Sequence, residues 1–164
     1  MKAQTVTLQI STPDGEFIAR YSRRGLAGLE FPDPNVSAPA PTSNRVSTEI
    51  RAWHKMTKSA LAKLLAGQTP ETFPPLDLRG TDFQKTVWRE MLRIGCGKTK
   101  SYGEIAKAIG KPGAVRAVGG ACGANPIPVL VPCHRVVAAG KKIGGFSSGL
   151  HWKRKLLARE GTAF

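Results

Sequence analysis

Three short runs at residues 5–10, 17–21 and 25–31 open the chain, a helical stripe follows them, and this order constrains the fold more than any other feature. Thr5-Val6-Thr7-Leu8-Gln9-Ile10 alternates polar and apolar residues, Phe17-Ile18-Ala19-Arg20-Tyr21 follows the turn Pro13-Asp14-Gly15, and Gly25-Leu26-Ala27-Gly28-Leu29-Glu30-Phe31 makes the third run. A period of two between turn residues is the pattern of hairpin-linked strands, so a small antiparallel sheet is expected. A Pro/Ser/Asn-rich loop spans Pro32 to Asn44. Ile50, Trp53, Thr57, Ala60, Leu61 and Leu64 then recur at helical spacing as far as Gly67, which predicts one helix to cover the sheet.

Thr69 to Arg79 carries three prolines and no clear period, and the domain boundary is placed there, giving residues 1–78 and 79–164. The second half reads as mostly helical, and the whole as α+β. Thr81 and Gln84 make a capping box ahead of a core stripe, Phe83, Val87, Trp88, Met91 and Leu92. Gly95 to Thr99 is a turn, in which Cys96 has no assigned role. Ser101 caps a short helix through Ile109, Gly110-Lys111-Pro112-Gly113 breaks it, and Ala114 to Cys122 forms another. That is helix-turn-helix spacing, although short helix pairs also occur in many α-rich domains.

Charge narrows the partners. The net charge is +14, and residues 82–164 hold 15 Lys/Arg against four Asp/Glu, so the basic face belongs to the second half. A polyanion is attracted through counterion release, and no strongly amphipathic basic helix at either end points to a membrane instead. A solvated basic surface kept for solubility is the plain alternative. No apolar run approaches the ~20 residues that span a bilayer, and the first residues lead into an alternating run rather than a signal peptide, so a cytoplasmic protein is expected.

Three cysteines at irregular spacing form no disulfide framework and suit a reducing compartment. Without a Cys-x2-Cys or His-x3-5-His pair, no metal site is expected; a zinc deaminase is excluded too, because Pro132-Cys133 is followed by no second cysteine. The chemistry concentrates at Pro132-Cys133-His134-Arg135, where a thiol stands beside an imidazole in a run that otherwise reads as buried strand. Such a thiol is either a nucleophile, its thiolate favoured by His134 and Arg135, or a small core cysteine beside a core histidine.

The neighbouring motifs favour the nucleophile. Ser101-Tyr102-Gly103-Glu104-Ile105-Ala106, Arg116-Ala117-Val118-Gly119, Asn125-Pro126-Ile127-Pro128 and Val131-Pro132-Cys133-His134-Arg135-Val136-Val137 occur in this order. Together they resemble the O6-alkylguanine-DNA alkyltransferases, also called methylated-DNA–protein-cysteine methyltransferases, over about Gly80 to Gly161. The resemblance implies a ribonuclease-H-like N-terminal domain, a winged-helix-like C-terminal domain, and irreversible transfer of an alkyl group from O6-alkylguanine, with O4-alkylthymine as a second substrate, onto Cys133. It implies no cofactor, a monomer, and double-stranded DNA as partner.

Carried over residue by residue, the resemblance makes Cys133 the acceptor, His134 its base through a water, Glu160 the acid that orients the imidazole, and Asn125 the brace of the active-site turn. A helix-end carboxylate paired with Arg135 or Lys153 is the other reading of Glu160. On the DNA side, Arg116 would fill the stack beside an extruded base, Ala117 and Gly119 would keep their helix slim for the minor groove, and Arg135 is placed with these contacts. Tyr102 would assist flipping, the Cys133 and Val136 carbonyls would accept from the guanine amino group, and Ser147 would donate to O6. Cys122 and Pro128 would line the alkyl channel, whose width depends on Phe146 and Ser148, where this chain departs from many relatives. Two further readings stand beside this one: a lesion-binding module without reaction, and a helix-turn-helix regulator with a structural cysteine.

Overall fold

The computed structural model describes residues 5–36 and 46–164. Strands β1 (Val6–Thr12), β2 (Gly15–Tyr21) and β3 (Leu26–Glu30) form an antiparallel sheet in that order, as their alternation predicts. Thr12 closes the first hairpin, its Oγ1 donating to Gly15 O at 2.8 Å and accepting from Asp14 N at 3.1 Å. β2 is central and is buried at Phe17, Ile18, Ala19 and Tyr21. The expected loop from Pro32 to Asn44 falls largely outside the described residues.

Helix α1 (Thr48–Leu65) starts where the Ser47 side chain accepts from Ile50 N, and it buries Thr57, Ala60, Leu61, Leu64 and Leu65 in one core with Phe17 and Tyr21. It stops at Gly67, with φ +72°: Gly67 N donates to Leu64 O and Gln68 N to Lys63 O, the pair of bonds that closes a helix with a left-handed residue. The proline-bearing stretch that follows is pinned to the edge of β3, with Leu26 N donating to Pro75 O and Asp77 N to Leu26 O. Leu29 N donates to Pro126 O. The edge of β3 is thereby occupied by the linker and by the loop that leads to Cys133.

Helix α2 (Asp82–Met91) carries the expected Thr81/Gln84 capping box and buries Val87, Trp88 and Met91; the Trp88 indole donates to Ala121 O at 2.8 Å. Helix α3 (Tyr102–Ala108) has its own box from Ser101 and Glu104, and α4 (Val115–Gly123) packs on it after a turn at Gly110, with φ +75°. The two-residue strands β4 (Lys100–Ser101) and β5 (Val136–Val137) pair in parallel, and α5 (Leu150–Arg159) closes the chain. This is a mixed α/β fold with, among the described residues, a small sheet and five α-helices. Among the described residues, no helix is long and apolar enough to cross a membrane.

The apolar run before Cys133 is not a strand. Ile127 to Val131 is buried but turns back on itself, with Val131 N donating to Ile127 O and Val129 at φ +74°. Pro126, Pro128 and Pro132 have no N–H to give a ladder, and the Asn125 side chain takes two of the remaining backbone groups. Apolar composition settled burial here, while proline settled the conformation.

Candidate active site

Cys133 begins a 3-10 turn, Cys133–Arg135, that leads directly into β5. Asn125 holds this turn in place as a bracket: Nδ2 donates to Val131 O at 2.7 Å, and Oδ1 accepts from Ile127 N at 3.0 Å. The thiol is 7 % exposed and faces a cavity of about 260 Å3. Tyr102, Gly119, Cys122, Asn125, Pro128, Phe146, Ser147 and Ser148 line it with Cys133, so nine of the residues singled out from sequence meet around one space. Phe146 is fixed by edge contact with Phe31, their centroids 5.9 Å apart.

Behind the thiol stand His134 and Glu160. His134 Nε2 lies 2.9 Å from Glu160 Oε1, and both side chains are 1 % exposed. His134 Nδ1 is also buried, and among the described residues it meets no hydrogen-bond partner in the chain. With the carboxylate accepting from Nε2–H, the neutral tautomer leaves its lone pair on Nδ1, which can take a proton. Burial lowers the imidazole's pKa against the opposing pull of Glu160, so His134 is neutral at pH 7. Burial pushes the Glu160 carboxyl up, but the hydrogen bonds from His134 and Arg135 outweigh it and bring its pKa down to about 2.

Burial dominates the Cys133 thiol as well and raises its pKa, while the Asn125 side chain and the Lys153 charge pull the other way. The resting sulfur is therefore protonated. Cys122, on the same cavity wall, is pushed up to about 12 by burial and then by Cys133, and it donates to Met91 Sδ at 3.5 Å; it is a wall and not a second nucleophile.

Arg135, placed among the DNA contacts by the resemblance, is buried. Its side chain is 7 % exposed; Nε and Nη2 both reach Glu160, at 3.0 and 2.7 Å to the nearer oxygens, and Nη1 donates to Ile94 O at 2.7 Å. The 3-10 turn sends successive side chains to different sides, which carries this guanidinium inward. Glu160 thus combines both readings open in the sequence, bonding His134 and pairing with Arg135.

Lys153 stood in the sequence only as a possible ion-pair partner of Glu160, and the structure gives it other partners. It is fully buried and donates to Val136 O at 2.6 Å and Gly145 O at 2.9 Å, which ties β5 to the loop on the far cavity wall. Burial lowers its pKa to about 8, against the pull of Cys133 and Cys122. The signal was present: Trp152, Lys153, Leu156 and Leu157 form the buried stripe of α5, and a lysine in such a stripe needs acceptors. Val136 O accepts from Lys153, and Cys133 O accepts from Val136 N.

Tyr102 is half-buried on the opposite wall, where Gly144 passes so close that a Cβ there would lie 2.8 Å from the phenol oxygen. Ser147 Oγ donates to Gly123 O at 2.8 Å. On α4, Val118, Ala121 and Cys122 face inward while Arg116 and Ala117 are exposed. A Cβ added at Gly119 or Gly120 would meet nothing within 4 Å. Alanine would favour the helix by about 1 kcal/mol at each, so packing inside the protein does not explain the glycines.

Fold and site together define a protein with a buried cysteine, next to a histidine–carboxylate pair, that faces a cavity beside a helix-turn-helix pair. A family model for the 6-O-methylguanine DNA methyltransferase DNA binding domain matches residues 82–162. The methylated-DNA–protein-cysteine methyltransferase of Methanosarcina acetivorans is 38% identical over 151 residues, 92% of this chain and 95% of that one. Its counterpart in Mycobacterium tuberculosis is 56% identical over 95 residues, so the match spans 58% of each chain. The crystal structure of the M. tuberculosis O6-methylguanine methyltransferase superposes with a TM-score of 0.74 at 37% identity, covering 96% of this chain and 93% of that one. A structure of the M. tuberculosis protein in complex with DNA gives 0.72 at 38% identity, with 94% and 92% covered. The chain belongs to the methylated-DNA–protein-cysteine methyltransferase family.

Proposed function

We propose that the protein repairs DNA by direct reversal, moving the alkyl group of O6-alkylguanine, and of O4-alkylthymine, from duplex DNA to Cys133 in a single irreversible event. The observation that carries this reading is the placement of Cys133: a neutral thiol on the wall of a cavity of about 260 Å3, with the neutral His134 and ionised Glu160 behind it. The sulfur cannot reach a stacked base, so the target is flipped out. The bare outer face of α4 docks in the minor groove, Arg116 takes the vacated place in the stack, and Tyr102 assists rotation.

Inside the cavity, the Cys133 and Val136 carbonyls accept from the guanine amino group. His134 Nδ1 takes the thiol proton through a water, the sulfur displaces guanine at the alkyl carbon, the electron pair of the broken bond stays on O6, and the proton held by His134 passes by way of water to the guanine anion, which leaves as neutral guanine. Ser147 turns from Gly123 O to donate to that oxygen. The electrons stay paired throughout and the group passes directly to sulfur, so the step calls for no cofactor. A thioether has no hydrolytic exit, which limits each molecule to one turnover. The test is the mass of the Cys133 tryptic peptide after mixing with duplex DNA carrying one O6-methylguanine: a gain of one methyl group, capped at one per protein, is expected, and binding without a mass change would support a non-reactive sensor.

Two smaller effects follow. Methylation replaces the Cys133 S–H that meets the Asn125 side chain, so the alkylated form should melt lower, and equal melting temperatures before and after reaction would contradict this. Arg116→Ala removes an exposed side chain, so it should slow repair in duplex DNA while leaving the melting temperature unchanged. A parallel loss on single-stranded substrate would argue against a role in the stack.

The same reading takes the sheet with α1 as a ribonuclease-H-like domain, residues 1–78, and the remainder as a winged-helix-like domain, residues 79–164. The protein acts as a cytoplasmic monomer, which its three free cysteines support.

A further inference from the structure

The carboxylate that orients His134 is gripped from the opposite end of the chain. Arg159, the residue before Glu160, forks onto Asp14 in the β1–β2 turn, Nη1 to Oδ2 at 2.7 Å and Nη2 to Oδ1 at 2.8 Å. Nη1 also donates to Leu65 O at 3.1 Å, in the last turn of α1. Lys155 adds a contact to Asp14 at 3.7 Å, and the Asp14 side chain is only a tenth exposed although it sits in a hairpin turn. The hydrogen bonds from Arg159 hold the Asp14 carboxyl below the usual carboxylate range, so the pair is ionised at neutral pH.

The backbone approaches are closer still. A Cβ at Gly67 would lie 2.0 Å from Arg159 O and 3.3 Å from Glu160 N, and one at Gly97 would lie 3.2 Å from Glu160 O. Cys96 Sγ donates to Gly67 O at 3.1 Å, which ties these two loops together around the end of α5. Glu160 has to meet His134 Nε2 and the Arg135 guanidinium at once, so a shift of the helix end by about an ångström breaks one of them. A bidentate Arg–carboxylate pair supplies geometry as well as energy.

We propose that Asp14 and Arg159 are positioning residues for alkyl transfer: the N-terminal sheet and α1 hold the last turn of α5 so that Glu160 orients His134. This rests on the reading of Cys133 as the alkyl acceptor. It gives the sheet-and-helix half a part in the chemistry without contact to DNA or base.

The test is single-turnover methyl transfer from duplex O6-methylguanine, followed against pH for the wild type, Asp14→Ala, Glu160→Gln and the double variant, with lesion-DNA affinity measured alongside. Asp14→Ala should slow transfer by about tenfold or more at unchanged affinity. The acid limb of its profile should move to lower pH, because His134 loses the carboxylate that raises its pKa. In the Glu160→Gln background the same change should cost nothing further, since both act through one contact. If Asp14→Ala melts below the assay temperature, Asp14→Asn, which keeps the shape and loses the charge, carries the same expectations. A profile of unchanged shape, or losses that multiply in the double variant, would reduce the pair to a structural tie. A wild type that binds the lesion and gains no methyl group would instead overturn the reading of Cys133.

Discussion

Cys133→Ala should abolish methyl transfer completely while the protein still binds lesion-containing DNA. Neither of the other cysteines is placed to replace the sulfur: Cys122 is on the wall, but its thiol is pushed up to about 12 and donates to Met91 Sδ, and Cys96 donates to Gly67 O outside the cavity. The stability change should be small, about 1 kcal/mol or less, because one sulfur atom at the edge of a cavity is lost and no hydrogen-bond partner is orphaned. Peptide mass spectrometry of the variant after exposure to O6-methylguanine duplex checks the first part, and thermal unfolding the second. A methyl group found on Cys122 in the variant would show that the cavity, and not the Cys133–His134 arrangement, selects the acceptor.

Glu160→Ala should be the most destabilising single change at the site. It leaves the Arg135 guanidinium buried with Ile94 O as its remaining partner and removes the acceptor of His134 Nε2. Breaking a buried ion pair from one side costs about 3–5 kcal/mol, which for a chain of this size lowers the melting temperature by more than about 6 °C. Glu160→Gln retains an acceptor oxygen and should be milder in stability, yet still slow transfer by about a hundredfold, because general-base assistance depends on the oriented, electron-rich imidazole.

The same carboxylate sets an acid limit on stability. Its pKa falls from 4.5 to about 2 on folding, so the unfolded chain binds the extra proton first. The stabilisation is fully present above about pH 4.5 and is lost as pH falls toward 2. His134, with its folded pKa below 6.5, acts in the same direction at higher pH, since it charges in the unfolded state before it does so in the folded one. Denaturant titrations from pH 7 to pH 3 should therefore show a steeper loss for the wild type than for Glu160→Gln. Parallel curves would mean that the Glu160 pair contributes nothing net.

Much of the framework was legible because local rules and burial agree there. Period two placed β1 to β3, the spacing from Ile50 to Leu64 placed α1, and Ser/Thr with Gln or Glu three residues on marked the starts of α2 and α3. The cavity wall was legible through its motifs, and Tyr102, Cys122, Asn125, Pro128, Cys133 and Ser147 do converge. Ile127 to Val131 was misread as strand because apolar composition reports burial and not backbone direction. Arg135 was placed toward DNA because a basic residue beside a nucleophile can face either way, and only the buried Glu160 decides it.

By itself, the sequence determined which segments are apolar on one side, where helices begin and end, and that a thiol and an imidazole stand together after Asn125-Pro126-Ile127-Pro128. These depend on interactions within a few residues, which spacing encodes directly. Tertiary structure alone decided that Glu160 serves His134 and Arg135 together, that Lys153 lies buried between Val136 O and Gly145 O, and that Asp14 meets Arg159 from the far end of the chain. A charged side chain carries no periodic signal for its partner. Its pairing is fixed only when packing removes water and leaves one acceptor within reach.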